Sequence, residues 1–353
     1  MEFKTLIYRP GPVARVILNR PEKLNAQNWT MLQEMERAFD RAVADPECRV
    51  IVLSGEGRAF SAGHDLSSDD QHADVTEQAR HLVPYNRGLL SRDVYTDSHL
   101  RWRDLPKPTI AMVHGQCIYG GWMIASAMDF IFAAEDAMFI PTYGDYFTMP
   151  FDLGPRKAKE LLFANRFMTA EEAMQWGFVN RVYPAAELEE ETLLYAARVA
   201  EQDPGGVRLT KFAINQAMDN MGFSAHVRAV GLSFITRVYP PAKQPGEAAA
   251  EPGGPRPVGL DLGGQFKNRV RQALDYLKLD QERAARGGRQ CRTRPPGRPD
   301  PDRHQDRSGS APPPRPSPWP LSPATPCSSA TRCSGTARGR RAKPWPARRW
   351  LGR

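Results

Sequence analysis

The sequence predicts an α/β protein built on a sheet that helices cover, and three observations support this. Short apolar runs at residues 50–53, 108–113 and 129–134 have the length and continuous hydrophobicity of buried strands. Glycine-rich or polar loops follow the first two runs, and helical patterns lie between runs. Strand, helix and strand in this order form a βαβ pattern, whose right-handed crossover packs a helix on the sheet.

Composition divides the chain of 353 residues into a folded part and a tail. Residues 1–280 have a net charge of −5, whereas residues 281–353 hold 17 Lys and Arg against 4 Asp and Glu, a net charge of +13, and 14 of the 32 prolines. Such a segment cannot bury enough apolar surface to offset its chain entropy. We predict a core over residues 1–190, a helical region over 191–280 with a Pro/Gly-rich loop at 240–264, and a disordered basic tail over 281–353.

The same composition excludes several classes of function. No apolar run approaches the ~20 residues of a membrane span, and the N-terminus lacks the apolar stretch of a secretory signal. Five cysteines without a C-x-x-C pair indicate neither a disulfide framework nor a zinc site. The basic tail could contact nucleic acid or anionic lipid, but it lacks aromatic interleaving, which favours a solvated extension or a run of alternate-frame codons. We expect a cytoplasmic protein without a metal, membrane or nucleic-acid partner.

The remaining elements follow from hydrophobic spacing and turn residues. Further strands are predicted at residues 5–8, 13–18 and 138–141. Helices are predicted at about 29–43, 122–128, 156–164, 170–176, 186–201, 207–220, 224–238 and 266–278. Residues 67–104 are polar and weakly periodic, which is typical either of a lid over a site or of a surface insertion.

Two loops that follow buried strands form the candidate functional site. Residues 58–66 place three small residues after a turn, so a backbone or a ligand can approach closely, and amide N–H groups can point at a bound carbonyl. Residues 114–121 end in two glycines at the start of a helix, where free N–H groups favour an anion. Each loop alone is equally consistent with an ordinary turn or a packing glycine. Two such loops favour the functional interpretation.

The motifs in their order resemble the crotonase (enoyl-CoA hydratase/isomerase) superfamily. The matching stretches are residues 18–26, 60–66, 114–129 and 169–182, and the resemblance covers about residues 3–235. It implies the crotonase fold, a spiral of ββα turns with a C-terminal helical region that forms homotrimers or hexamers. It also implies an acyl-CoA thioester as ligand, with coenzyme A as part of the substrate and no separate cofactor.

By position, the resemblance assigns the backbone N–H groups of His64 and Gly120 to the thioester oxygen. Two donors aimed at a developing enolate act where negative charge grows. Lys23 could meet a phosphate of coenzyme A as a point charge, or be solvated. The stretches that bind coenzyme A in the family match Lys23, Leu24, Ala26, Ser61, Ala62 and Asp65.

The sequence departs from the family at the two glutamates that hydratases use as general acid and base. Met123 occupies the first position, and the shortened segment after Pro141 contains no glutamate. Asp145 could serve as a single base, as in isomerase members, or be a turn or surface residue. The His64 imidazole could act as an acid or base, or point away from the site.

We therefore expect an enzyme that stabilises a thioester enolate. The reaction is left open among isomerisation, atypical hydration and another step alpha to the carbonyl. One alternative is a non-catalytic acyl-CoA-binding homologue. A third is an interaction protein that acts through its tail.

Overall fold

The computed structural model describes most of the predicted core and helical region. The described residues are 2–65, 92–141, 143–238, 268–279 and 281–282. The Pro/Gly-rich loop at 240–264, most of the lid segment and nearly all of the tail lie outside them. Contacts divide the chain into the units Met1–Arg294 and Pro295–Arg353, and the second lies wholly outside the described residues.

Ten strands in the described residues form two sheets. They are β1 (Leu6–Arg9), β2 (Val13–Leu18), β3 (Val50–Gly55), β4 (Ala59–Ser61), β5 (Thr109–Val113), β6 (Gln116–Ile118), β7 (Phe130–Ala134), β8 (Met138–Ile140), β9 (Met168–Thr169) and β10 (Arg181–Tyr183). One sheet has the order β1-β2-β3-β5-β7-β10 and is parallel except for β1. The other has the order β4-β6-β8-β9 and is parallel except for β9.

The chain moves between the two sheets in a repeated order. Strands β3, β5 and β7 lie in the larger sheet, and each is followed directly by a short strand of the smaller one, β4, β6 or β8. A helix follows the second and third of these pairs. The expected spiral of ββα turns is therefore confirmed.

The eight predicted helices are found with bounds that differ by a few residues, and two short helices, Ser98–Arg103 and Met149–Asp152, were not predicted. They are α1 (Trp29–Ala44), α2 (Ser98–Arg103), α3 (Gly120–Ser126), α4 (Met149–Asp152), α5 (Gly154–Ala164), α6 (Ala170–Gln175), α7 (Leu188–Ala200), α8 (Pro204–Asn220), α9 (Phe223–Val238) and α10 (268–279). Helix α8 begins three residues early because the Asp203 side chain caps it and Pro204 fits the first turn. Helix α3 begins at Gly120 and not at Trp122, which brings the Gly120 N–H to the helix start.

Strand β3 shows why the central strands are apolar throughout. Its side chains alternate between two faces, and both faces are buried. Val50 and Val52 pack toward Leu188 and Ala196 of helix α7. Ile51 and Leu53 belong to the main core with helix α1.

Helix α10 packs against the second of the two candidate loops, residues 114–121. We call residues 58–66 the first glycine loop and residues 114–121 the second glycine loop. Ala273 of this helix is fully buried in a cluster with Ile118, Tyr119, Ile140 and Phe167. Tyr119 has φ 48° and ψ −101°, a backbone conformation that costs a residue with a side chain about 1–3 kcal/mol. The packed surroundings hold this conformation. None of the helices in the described residues has the length and hydrophobicity needed to cross a bilayer.

Candidate active site

The first glycine loop is held by the segment that precedes helix α1. The Gln27 N–H donates to the Gly63 carbonyl at 2.7 Å, and the Asp65 N–H donates to the Gln27 carbonyl at 2.9 Å. In such a parallel bridge the residue between the two bonded ones turns its own N–H to the opposite side. The His64 N–H therefore points away from Gln27.

The second glycine loop meets the first at this point. A Cβ atom on Gly120 would lie 3.0 Å from the His64 nitrogen, and a Cβ on Gly63 would lie 2.8 Å from the Gly120 nitrogen. Gly63 also has φ 87°, which a residue with a side chain rarely adopts. Because Gly120 opens helix α3, its N–H has no partner within the helix. The fold brings the two predicted N–H donors together.

Ser61 secures the first loop from inside. Its buried hydroxyl donates to the Asn25 carbonyl at 2.8 Å, and accepts from the Gln27 side chain at 3.0 Å and from the Gly63 N–H at 3.1 Å. Every capacity of the hydroxyl is used within the loop. Gln27, which is fully buried, was not among the predicted site residues.

The other residues predicted to bind coenzyme A lie where the first glycine loop contacts the segment before helix α1. We call this line of contact the seam. The Ala62 N–H donates to the Leu24 carbonyl at 2.8 Å. Arg20 donates to the Ala26 carbonyl at 2.6 Å and to the Asp65 carboxylate at 3.0 Å. Lys23 is exposed at the end of a short 3-10 helix. The seam joins all six residues, and their contact with coenzyme A stays a prediction.

The His64 side chain turns toward the second loop. Its Cδ2 would be 2.7 Å from a Cβ on Gly120, and its ring lies 4.4 Å from the Tyr95 ring, centroid to centroid. Burial lowers the pKa of His64 to about 4, so the imidazole is neutral near pH 7. The ring thus lies beside the second glycine loop, and its part in proton transfer stays a prediction.

Asp145 is buried and not a surface residue. It is only 4% exposed, and burial raises the pKa of its carboxyl to about 7. The Thr96 hydroxyl donates to the Asp145 carbonyl at 3.1 Å. Thr96 follows Tyr95 in a π-helix (Arg92–Asp97), an element that often occurs at functional sites.

Two further polar side chains extend this region. His99 and Tyr146 are almost completely buried, with their ring centroids 5.2 Å apart. Burial lowers the pKa of His99 well below its ordinary value, and the proximity of His64 adds to this. The sequence gives no signal for this contact, because the two residues lie on segments that are distant in the chain.

Helix α3 presents an apolar surface where hydratases carry a glutamate. Met123 is 3% exposed, and Trp122 stacks on Phe178 with ring centroids 3.7 Å apart. Neither residue can transfer a proton in a hydration reaction. Within the described ranges no cluster of three or more metal-binding side chains occurs.

Comparisons with known proteins identify the family of this chain. A sequence model described as Enoyl-CoA hydratase/isomerase matches residues 9–230. A putative enoyl-CoA hydratase, EchA13, of Mycobacterium tuberculosis is 39% identical over 246 residues, which is 64% of this chain and 77% of that protein. A human mitochondrial Delta(3,5)-Delta(2,4)-dienoyl-CoA isomerase is 33% identical over 223 residues, 59% of this chain and 67% of that protein.

Solved structures show the same relationship. A probable enoyl-CoA hydratase from Mycobacterium thermoresistibile is 40% identical with a TM-score of 0.60, over 66% of this chain and 95% of the other. An enoyl-CoA hydratase/isomerase from Xanthobacter autotrophicus is 29% identical with a TM-score of 0.61, over 83% of this chain and 100% of the other. The resemblance of the sequence motifs is thereby confirmed. With its crotonase fold, the chain belongs to the enoyl-CoA hydratase/isomerase family.

Proposed function

We propose that this protein binds an acyl-CoA thioester and stabilises its enolate with the backbone N–H groups of His64 and Gly120. The observation that carries the proposal is the close approach of the two glycine loops, which puts the His64 and Gly120 nitrogens near each other. Preorganised donors stabilise charge that develops on the thioester oxygen, and the loss of one typically costs about 10²–10³ in rate.

The reaction that fits the site best is isomerisation of an enoyl-CoA. Moving a double bond requires one group that removes a proton from carbon and returns it to another, and Asp145 is a buried carboxyl with a pKa near neutrality. Hydration by two glutamates does not fit, because Met123 stands at the first position. The isomerase named among the relatives supports the same reaction class.

Coenzyme A would lie along the seam formed by Lys23, Leu24, Ala26, Ser61, Ala62 and Asp65. In that arrangement Ser61 acts through the loop backbone that it fixes, and Asp65 acts through its ion pair with Arg20. The exposed Lys23 can approach a phosphate as a point charge.

The proposal includes assembly into homotrimers or hexamers. Helix α8 buries no residue within the chain, and its Leu209, Phe212 and Ile214 are all more than half exposed. Such a face is typical of a subunit contact. Sedimentation of the full chain would test the assembly.

The free thiols of Cys48 and Cys117 support a reducing compartment such as the cytoplasm.

The test uses the purified full chain with hex-3-enoyl-CoA and hex-2-enoyl-CoA. Isomerisation forms the conjugated thioester without a change in mass, whereas hydration adds one water. Asp145→Asn should lower kcat by about 10²–10⁴ and leave the affinity for hexanoyl-CoA within a few fold. The exposed Asp40→Asn serves as the control.

A second candidate function is non-catalytic binding of acyl-CoA. The observation in its favour is the buried Met123 on helix α3, which contains no acidic residue. Saturable binding of hexanoyl-CoA without turnover of either enoyl-CoA, and without deuterium exchange at the α-carbon, would support this candidate and contradict isomerisation.

A further inference from the structure

Four side chains linked by contacts to the proposed thioester site each leave one buried polar atom without a partner. No hydrogen bond to these atoms is found in the part of the chain that the structure describes. They are Nε2 of His64, Nε2 of His99, Oδ1 of Asp145 and the hydroxyl of Tyr146. We call these four residues the buried polar cluster.

The π-helix and the start of helix α2 connect the members of this cluster. Tyr95 lies against the His64 ring, and the next residue, Thr96, donates to the Asp145 carbonyl. His99 lies 5.2 Å from the ring of Tyr146, which is the neighbour of Asp145 in the chain. Since the His64 ring also reaches Gly120, the cluster borders the proposed oxyanion donors.

Unpartnered atoms of this kind are costly and therefore informative. A buried donor or acceptor without a partner costs about 1–3 kcal/mol, and native proteins contain few of them. Some buried groups elsewhere in this fold are fully satisfied, for example Glu34, which accepts from the Lys4 N–H, the Thr5 N–H and the Thr5 hydroxyl. Others, such as the hydroxyl of Tyr8, have no partner but do not belong to the buried polar cluster. A concentration of four at one site indicates that a ligand supplies the partner.

The chemistry of the cluster restricts that ligand group. His99 is neutral, and it and the Tyr146 hydroxyl can each donate or accept. A carboxylate on the ligand is disfavoured, because it would lie beside the carboxyl of Asp145 without a cation to pair with. The neighbouring Arg103 already pairs with Asp104 and Asp219. A purely alkyl chain would leave all four atoms unpaired.

We propose that the acyl group bound here carries a neutral oxygen, a hydroxyl or a carbonyl, beyond its β-carbon, and that His99 and Tyr146 hydrogen-bond to it. This assignment rests on the proposed function, since it names the substrate class of the same site. It concerns selectivity and holds for either a catalytic or a non-catalytic protein.

The experiment measures binding of saturated esters by calorimetry, so that it needs no turnover. The probes are hexanoyl-CoA, 6-hydroxyhexanoyl-CoA and 5-oxohexanoyl-CoA, presented to the full chain. At least one oxygenated ester should bind about 10-fold more tightly than hexanoyl-CoA. Tyr146→Phe removes only the unpartnered hydroxyl, and should reduce this preference several-fold while hexanoyl-CoA binds as before.

Tyr8→Phe is the matched control, because its hydroxyl is also buried without a partner but lies on strand β1. It should leave the preference unchanged. Equal affinities for all three esters would overturn the substrate assignment while leaving the proposed function intact. Absence of binding by every ester would contradict both, and an equal loss of preference in the two variants would remove Tyr146 from the assignment.

Discussion

The first glycine loop and the buried polar cluster share His64, but they treat their polar groups in opposite ways. In the loop, the hydroxyl of Ser61 has three partners within the chain. In the cluster, Tyr146 and His99 each leave an atom unpaired among the described residues. The loop is thus complete before any ligand arrives, as a preorganised donor must be. The cluster depends on what is bound, which makes it the part that can set specificity.

The largest expected effect is on the free energy of unfolding, and it arises at Asp145 in the buried polar cluster. Burial raises its pKa to about 7, so the folded chain binds the proton more tightly than the unfolded chain does. The contribution of this carboxyl to folding is fully present below its ordinary pKa and is lost as the pH rises to about 7. Above that pH the buried charge costs up to about 4 kcal/mol.

Asp145→Asn should therefore raise the melting temperature at pH 8 and have little effect at pH 4. Thermal unfolding of the two proteins across this range measures the difference. The carboxyl of Asp152, whose pKa burial raises to about 6, titrates in both and cancels in the comparison. A variant that is less stable at pH 8 would show that the carboxylate is well solvated in the fold.

The second largest expected effect is on the turnover number, and it arises where the two glycine loops meet. In Gly120→Ala the added methyl would meet the His64 nitrogen at 3.0 Å and the His64 ring at 2.7 Å, forcing the two donors apart. The turnover number should fall by about 10²–10³, the cost of losing one donor. Steady-state kinetics with hex-3-enoyl-CoA measures it.

The control for this steric effect is Gly205→Ala. A methyl there would have only an ordinary contact, at 3.4 Å from the Asp203 carboxylate, and turnover should be unchanged. Full activity in Gly120→Ala would place the thioester oxygen elsewhere.

The smallest expected effect is a difference in the free energy of unfolding between two variants. One lacks a hydroxyl of the first glycine loop and the other a hydroxyl of the buried polar cluster. Ser61→Ala leaves the Gly63 N–H and the Asn25 carbonyl unpaired, and should lower the free energy of unfolding by about 1–3 kcal/mol. Tyr146→Phe removes a hydroxyl without a partner, and should change it by less than about 0.5 kcal/mol or stabilise the fold. Urea unfolding resolves the two. Similar losses in both would mean that the regions do not differ.

The same contrast separates what the sequence could predict from what it could not. The glycine loops are local: a strand of fixed apolar pattern, small residues and a helix start are all contiguous, so the sequence could predict the two loops. Their resemblance to the crotonase superfamily then assigned His64 and Gly120 within them. The missing glutamate at Met123 was visible for the same reason. The burial of Asp145 and its link to Thr96 join segments 49 residues apart through a π-helix, which has no reliable sequence signal.

The support of Tyr119 by helix α10 has a consequence for how the protein acquires its site during synthesis. The strained backbone of Tyr119 leaves the ribosome long before residues 268–279. Domains begin to fold from the N-terminus as they emerge, and contacts between distant segments form late. It follows that a nascent chain can assemble both sheets while the loop before Gly120 still lacks the cover of Ala273. The donor geometry is then completed only after helix α10 has been synthesised.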